Sequence, residues 1–292
     1  MDRSERLIKL GDSWFSSKAK NAAQMFSAEN ATTDIDDVLN NAETDLVIIS
    51  TRHNNHAELI LKCLTAGKNV FVEKPLCVNM DELKSIKDFY ESDLQNRSKL
   101  FIGFNRRYSP LVNEVKKQLN QRKSSVLIEY RMNAGYIPHD HWVHSDGGRI
   151  IGEACHCIDL VKYLVGSSVV TMNTESLTHQ NSPYSSADNK VITLKFEDGS
   201  VAKISYFSIG SSKLEKEKID IHFDGKSIIL DDFKNLSFYG IEASDIRNKN
   251  SDKGQTEELE VVYNTITKDL NAPIPVNDMI DTTYLSILAA QS

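Results

Sequence analysis

The sequence predicts an α/β fold with two domains, and two observations carry this prediction. Residues 45–51 and 69–76 are short apolar runs rich in β-branched side chains, and they flank a helical segment that ends at Gly67. This pattern is typical of a βαβ unit with parallel strands. Further along the chain, apolar segments are joined by Asp198-Gly199 and Asp224-Gly225, the turn chemistry of antiparallel hairpins.

The first half alternates between helix and strand. Apolar residues recur at helical spacing, with Asn79 as an N-cap before one helix and Gly67 as a C-cap after another. The predicted elements are a helix at 19–26, a helix starting after Thr33 or Asp34, strand 46–50, helix 56–66, strand 69–73, helix 79–90 and strand 100–103. This order predicts a doubly wound parallel sheet of the Rossmann type that lacks its first strand.

The second half predicts an α+β domain with an open, mostly antiparallel sheet. A helix at 109–121 and a strand at 125–133 precede the hairpins at 191–206 and 218–231. Successive hairpins form antiparallel sheets, which helices commonly cover on one face. The predicted domains are residues 1–105, residues 106–275, and a C-terminal helix at 276–292 that returns to the first domain.

Composition excludes several classes of function. The chain has 292 residues, of which 40% are hydrophobic and 26% charged, as in an ordinary globular protein. A net charge of −7 argues against nucleic acid or an anionic membrane as partner. No apolar run approaches the ~20 residues that span a bilayer. The first residues are charged and lack the apolar core of a secretory signal, which predicts a cytoplasmic location.

The four cysteines predict buried thiols rather than a metal site. Cys63, Cys77, Cys155 and Cys157 all lie in apolar segments, as expected of a protein in a reducing compartment. Cys155 and Cys157 flank His156, but neighbours on a helix point in different directions, so one ion cannot bind all three. We therefore predict no metal.

Lys74 and His156 are the candidate catalytic residues. Lys74 follows the second strand and precedes Pro75, at the sheet edge where α/β proteins bind ligands. A lysine there can hydrogen-bond a substrate hydroxyl and relay its proton. His156 lies in an apolar helix, with Asp159 three residues later on the same face. Each residue also has a structural alternative. Lys74 could be a surface lysine, His156 a core histidine bonded to a carbonyl, and Asp159 an ion-pair partner on its helix.

At these residues the sequence resembles the glucose–fructose oxidoreductase, inositol dehydrogenase and rhizopine catabolism family of nicotinamide-dependent sugar dehydrogenases. The resemblance rests on residues 49–56, on Glu73-Lys74-Pro75, and on residues 103–110 and 147–159. Residues 133–142 also resemble a subgroup that is encoded with surface-polysaccharide genes.

The resemblance implies roles for individual residues. Lys74, His156 and Asp159 would be catalytic. NAD or NADP would be bound by a set at the strand ends and one aromatic residue: Thr51, Asn54, His56, Glu73, Lys74 and Trp142. Substrate would be bound by Arg106, Tyr136, His141 and His156. Helix capping by Asn54 and interdomain packing by the arginine and aromatic residues remain the alternatives.

The chain departs from the family pattern at two places. Gly152 stands where the family usually has aspartate, so either Glu153 replaces it through a shifted helix start or Lys74 and His156 act alone. Gly11 is the only glycine before Gly67, and no Gly-rich turn for the cofactor pyrophosphate is present. From this we expect an N-terminally truncated dehydrogenase that binds NAD weakly or not at all.

The function hypothesis is hydride transfer between a nicotinamide and a hydroxyl-bearing carbon of a sugar or nucleotide-sugar, in polysaccharide biosynthesis. The family resemblance also implies a homo-oligomer formed through the sheet of the second domain. A different class of function is a catalytically impaired fragment that serves only as an oligomerisation partner. A third possibility is redox-neutral use of a bound NAD, as in epimerisation or glycoside cleavage.

Overall fold

The computed structural model describes residues 21, 23–25, 27–28, 30–92, 98–178 and 183–292. Of the helix predicted at 19–26, residues 21 and 23–25 are described, and residues 19, 20, 22 and 26 lie outside the described residues. The chain divides into an N-terminal unit, Met1–Gly103 with Asn271–Ile280, and a C-terminal unit, Phe104–Leu270 with Asp281–Ser292. The predicted domain limits at 105 and 275 remain predictions. The two units of the structure divide after Gly103, and the last helix contributes residues to both units.

The described N-terminal unit contains a parallel sheet in the order β1-β2-β3. Its strands are β1 (Leu46–Ile49), β2 (Asn69–Val72) and β3 (Leu100–Ile102). The register pairs Val47 with Val70, and Val70 with Leu100. The helices are α1 (Ile35–Leu39), α2 (His56–Thr65) and α3 (Met80–Ser92). The predicted parallel α/β arrangement is confirmed.

Local hydrogen bonds explain where these helices begin and end. The Asp34 carboxylate accepts a hydrogen bond from the Asp36 N–H at 2.9 Å and so caps α1. The Asn79 side chain accepts one from the Glu82 N–H, also at 2.9 Å, at the start of α3. Gly67, at φ +74°, follows α2 in the left-handed conformation that ends many helices.

The described C-terminal unit is built on a larger sheet in the order β11-β10-β9-β8-β4-β7-β6-β5. The strands are β4 (Leu127–Asn133), β5 (Val169–Ser176), β6 (Lys190–Phe196), β7 (Val201–Phe207), β8 (Glu217–Phe223), β9 (Lys226–Asp231), β10 (Asn235–Tyr239) and β11 (Ile246–Arg247). The β4–β7 pair is parallel and the other described pairs are antiparallel. The predicted mostly antiparallel sheet is confirmed.

Helices pack on one face of this sheet. These helices are α4 (Pro110–Leu119) and α6 (Cys155–Val165). The unit also contains the short helix α5 (Trp142–Ser145) and the helix α7 (Gln255–Thr267), and α8 (Val276–Gln291) ends the chain. Apolar residues of α4 and α6 form one buried cluster with alternate residues of the strands. Among the described residues, no helix is both long enough and apolar enough to cross a membrane.

A π-helical turn, Ile150–Ala154, precedes α6. Its last hydrogen bond runs from the Cys155 N–H to the Ile150 carbonyl, five residues back. Such turns are rare and occur often at functional sites, because the extra residue changes the direction of the side chains before it.

A short 3-10 turn, Asn105–Tyr108, lies against the loop that precedes α7. The Asn105 side chain donates to the Lys253 carbonyl at 2.9 Å. Gly254 sits at φ +82° directly on this turn, and a Cβ there would lie 2.4 Å from the Ser109 nitrogen. Position 254 therefore requires glycine for its conformation and for the close approach of two backbones.

Replacing Gly254 by alanine should destabilise the C-terminal unit strongly. Gly225→Ala is the matched control, because Gly225 has φ +72° but no atom within 4 Å of a Cβ. The control should cost about 1–2 kcal/mol of left-handed strain. Gly254→Ala should lower the free energy of unfolding by clearly more, as measured by urea denaturation. Equal losses in the two variants would contradict the backbone-contact argument.

Candidate functional site

Four predicted site residues lie at the carboxyl edge of the parallel sheet. Thr51 and Asn54 follow β1, and Glu73 and Lys74 follow β2. Asn54 and Glu73 are exposed, while Thr51 and Lys74 are half-buried. The Lys74–Pro75 peptide bond is cis. The edge thus presents a hydroxyl, an amide, a carboxylate and an ammonium group where α/β sheets bind ligands.

Gly103 brings β3 close to this group. A Cβ at position 103 would lie 3.1 Å from the Glu73 Oε2 atom. The absence of a side chain therefore makes room for the Glu73 carboxylate over the end of β3.

His56 lies beneath the same edge and is fully buried. Its Nδ1 is 2.7 Å from the Pro75 carbonyl, and its Nε2 is 3.2 Å from the Thr51 carbonyl. Burial lowers the pKa of the imidazole, although the two carbonyls oppose this shift. Both ring nitrogens face the backbone, so the cofactor-binding role predicted for His56 would require breaking these contacts.

His156 lies in the first turn of α6, in the C-terminal unit, and is 5% exposed. The edge of its ring meets the Phe104 ring at a centroid distance of 6.2 Å. The predicted position of His156 in an apolar helix agrees with this burial; its catalytic role stays a prediction.

Asp159 is held by Arg107. The Arg107 Nε lies 2.8 and 2.9 Å from the two carboxylate oxygens, and Nη2 lies 2.5 Å from Oδ1. Both side chains are buried, and the guanidinium also lies 5.2 Å from the Tyr163 ring centroid. A bidentate buried pair leaves Asp159 as a structural anchor of α6, the ion-pair alternative, and a catalytic role would require breaking it.

Arg106 has a similar partner on the other side of the turn. Its Nε and Nη2 each lie 2.8 Å from a Glu217 oxygen, and Tyr130 and Lys253 also bind this carboxylate. Burial alone would raise the pKa of Glu217, but the charge of Arg106 and its hydrogen bonds hold it at about 2. Arg106 thus neutralises a buried carboxylate in the core of the unit. The predicted contact between Arg106 and a substrate would require breaking the ion pair with Glu217.

Glu153 lies in the π-helical turn, and three side chains outside the turn bind its carboxylate. Its oxygens lie 2.9 Å from the Arg149 Nη2, 2.6 Å from the Tyr206 hydroxyl and 2.5 Å from the Lys216 Nζ. Burial opposes ionisation, yet the charge of Lys216 and these hydrogen bonds lower the pKa of Glu153 to about 2. The carboxylate is therefore permanently ionised near neutral pH.

The remaining predicted residues lie on the segment between β4 and α6. Tyr136 is 49% exposed and packs edge-on against Tyr184, with ring centroids 5.6 Å apart. His141 caps α5 through a 3.3 Å hydrogen bond from the Val143 N–H, and its ring lies 5.5 Å from Trp142. Partly exposed aromatic rings with adjacent imidazoles suit a sugar ring.

Two buried polar residues beneath this segment were not predicted as site residues. Arg149 is buried and donates to the Gly135 and Ala134 carbonyls at 2.6 and 3.0 Å. Buried Asp188 lies 3.9 Å from the His144 Nδ1 and 4.0 Å from the Arg149 Nη1. Within the described ranges, no three histidine, cysteine or acidic residues are arranged to hold a metal ion.

The Arg107–Asp159 pair should contribute far more to the free energy of unfolding than a surface ion pair does. Asp159→Asn or Arg107→Met should each lower the free energy of unfolding by about 3–5 kcal/mol, because the remaining charge is buried without its counter-ion. The double variant should lose much less than the sum of the two. The exposed Lys203–Glu129 pair is the control, and its loss should cost below about 1 kcal/mol. Additive losses at Arg107 and Asp159 would contradict the coupling.

Glu217 should make stability depend on acid pH. Its pKa is about 2 in the folded state against an ordinary 4.5, so its stabilisation is complete above pH 4.5 and is lost as the pH falls toward 2. Glu217→Gln should remove part of this slope, and the difference should reach a few kcal/mol. Glu129→Gln, on the sheet surface, should remove a much smaller part of the slope, because the pKa of Glu129 is lowered mainly by its hydrogen bond with the exposed Lys203 and by the Lys203 charge. Parallel stability curves for wild type and Glu217→Gln would refute the assignment.

Comparison with known proteins identifies both halves of the chain. A model of the oxidoreductase family with an NAD-binding Rossmann fold matches residues 3–96. A second model, of the C-terminal alpha/beta domain of the same oxidoreductase family, matches residues 127–275. Together they cover most of the described residues.

Relatives of known activity are distant. The chain is 26% identical over 205 residues to scyllo-inositol 2-dehydrogenase (NAD(+)) of Bacillus subtilis, covering 68% of this chain and 58% of that protein. It is 26% identical over 188 residues to myo-inositol 2-dehydrogenase of Thermotoga maritima, covering 62% and 55%. The chain thus spans a little over half the length of these relatives.

Solved structures agree on the fold. An oxidoreductase domain protein from Kribbella flavida superposes with a TM-score of 0.83 at 17% identity, over 94% of this chain and 85% of that one. Levoglucosan dehydrogenase, in complex with NADH and levoglucosan, gives 0.80 at 20% identity, over 98% and 88%. The two family models show that the chain belongs to the Gfo/Idh/MocA oxidoreductase family, whose N-terminal domain is an NAD-binding Rossmann fold.

Proposed function

We propose that the chain transfers a hydride between NAD(H) and a hydroxyl-bearing carbon of a polyhydroxylated, sugar-like substrate. The observation that carries this proposal is the position of Lys74, directly after β2 at the ligand-binding edge of a domain of the NAD-binding family. Relatives that act on inositol and levoglucosan support a substrate with several hydroxyl groups.

The edge residues fit one half of the cofactor. Thr51, Asn54 and Glu73 offer the hydroxyl, amide and carboxylate groups that hydrogen-bond ribose hydroxyls and a carboxamide. The pyrophosphate is usually held by backbone N–H groups at a Gly-rich turn, and the sequence has one glycine, Gly11, before Gly67. We therefore expect these side chains to hold the nicotinamide riboside end, with weak overall affinity for NAD or NADP.

The bound nicotinamide would supply the hydride acceptor or donor, and the protein would manage the proton. During oxidation, Lys74 Nζ accepts the proton of the substrate hydroxyl while the C–H hydride leaves, and during reduction it returns that proton. His156 orients the substrate hydroxyl or shares the proton transfer. Tyr136, His141 and Trp142 supply ring faces and imidazole groups for the sugar.

We also propose several finer features of the function. They are a nucleotide-sugar substrate, a place in polysaccharide assembly, a cytoplasmic location, and a homo-oligomer formed through the C-terminal sheet. For the oligomer there is one supporting observation, since Leu127 on β4 and Val170 on β5 are 43% and 50% exposed. If no turnover is found, that surface favours the second candidate, a non-catalytic oligomerisation partner. Redox-neutral use of NAD would instead show cofactor that is recycled in each turnover.

Lys74→Met tests the proposal directly. Wild type and variant are assayed for NAD reduction with myo-inositol, scyllo-inositol and levoglucosan, and for NAD(H) binding by calorimetry. With any probe that turns over, kcat should fall by about 10²–10⁴, the usual effect of losing a positioned acid/base. The Kd for NAD(H) should change little, because Lys74 acts on the substrate.

Lys84→Met is the matched control, since Lys84 is an exposed lysine on α3 paired with Asp88. It should leave both turnover and binding unchanged. A Lys74→Met variant with turnover within about threefold of wild type would remove Lys74 from the mechanism. Low-micromolar NAD binding by the wild type would refute the expected weak affinity without affecting the role of Lys74.

A further inference from the structure

His56 occupies an unusual position between two loops of the N-terminal unit. It is the first residue of α2 and lies between the segment after β1 and the segment after β2. One ring nitrogen faces the Thr51 carbonyl and the other faces the Pro75 carbonyl, immediately beyond Lys74. The imidazole is fully buried, so neither nitrogen is available to a ligand without a rearrangement.

The two contacts differ in kind. A neutral imidazole carries one N–H and one lone pair, and burial favours the neutral form of His56 by lowering its pKa. The shorter contact, 2.7 Å to the Pro75 carbonyl, fits an N–H donor on Nδ1. In this tautomer the 3.2 Å contact leaves the Nε2 lone pair facing the Thr51 carbonyl, so that contact is not a hydrogen bond and does not hold the ring.

We propose that His56 is a positioning residue for Lys74, and that its Nδ1–H holds the Glu73-Lys74-Pro75 segment through the Pro75 carbonyl. This inference rests on the proposed role of Lys74 for its functional meaning. Leu76 and Cys77, directly after Pro75, are fully buried and fix the far side of the segment. With β2 on one side and these residues on the other, the hydrogen bond to the Pro75 carbonyl restrains the short stretch that carries the lysine.

The charges around His56 agree with this role. Glu73 and Lys74 both act on the imidazole, Glu73 raising its pKa and Lys74 lowering it. The ring of His53 meets that of His56 edge-on at 5.9 Å. A neutral His56 holds the segment without placing a second positive charge beside the lysine ammonium, whereas a protonated one would repel it.

Two substitutions separate the two contacts. The amide nitrogen of His56→Asn can replace Nδ1 and donate to the Pro75 carbonyl, while that of His56→Gln can replace Nε2 and reach only the Thr51 carbonyl. His56→Ala removes both. Each cofactor-free protein is treated with N-hydroxysuccinimide acetate, and the acetylation rate of Lys74 is measured by peptide mass spectrometry. The exposed Lys84 in the same sample is the internal standard.

We expect His56→Asn to keep the wild-type rate of Lys74 acetylation. His56→Gln and His56→Ala should raise that rate by about threefold or more, because the released segment opens more often. A faster Lys74 in His56→Asn, or a wild-type rate in His56→Gln, would overturn the proposal. In the wild type, a long-range ¹H–¹⁵N spectrum should show the His56 proton on Nδ1, and a proton on Nε2 would also overturn it.

Turnover gives a separate arm of the experiment. With a probe substrate that turns over, His56→Gln should lower kcat while the KM for NAD changes by less than about twofold, and His56→Asn should restore kcat. If the acetylation pattern is as expected but Lys74→Met retains turnover, the positioning stands and the catalytic role of Lys74 fails. If Lys74→Met is inactive but the Asn and Gln variants behave alike, the positioning fails alone.

Discussion

The C-terminal unit depends on two consecutive arginines in one short turn. Arg106 and Arg107 extend from Asn105–Tyr108 to two buried carboxylates, Glu217 on β8 and Asp159 on α6. A guanidinium remains charged in a protein, so its burial is tolerable only opposite a carboxylate with bidentate geometry. Once both pairs form, the turn fixes the position of α6 relative to β8 and leaves Phe104 against the His156 ring.

Most of the fold could be predicted from the sequence because its signals are local. A side-chain cap such as Asn79, a left-handed glycine such as Gly67 and the Asp224-Gly225 hairpin each act within a few residues. The parallel pairing of β4 with β7 was less accessible, since 74 residues separate partners such as Glu129 and Lys203. Local chemistry does not encode which distant strands become neighbours.

For the candidate site, the sequence could predict where a residue lies only when its place in the fold decides this. The carboxyl end of a parallel strand places Lys74 at a ligand-binding edge whatever surrounds it. Arg106 and Asp159 are different, because a charged side chain serves a ligand or a buried counter-ion according to partners that lie 111 and 52 residues away. His56 shows a third outcome, in which a polar residue near the edge binds the backbone of two loops.

The environment of Glu153 bears on which residues could transfer protons under the proposed function. A proton-transferring carboxyl must change its protonation state near the working pH. Glu153 has a pKa of about 2 and is engaged by Arg149, Tyr206 and Lys216, so it stays an anion. Its side chain braces the π-helical turn before α6, and this supports the alternative in which Lys74 and His156 act without it. Under the proposed function, proton transfer would then depend on Lys74 and His156. A displaced Lys74 could not be replaced by Glu153, so the backbone contacts that position Lys74 would matter directly for turnover.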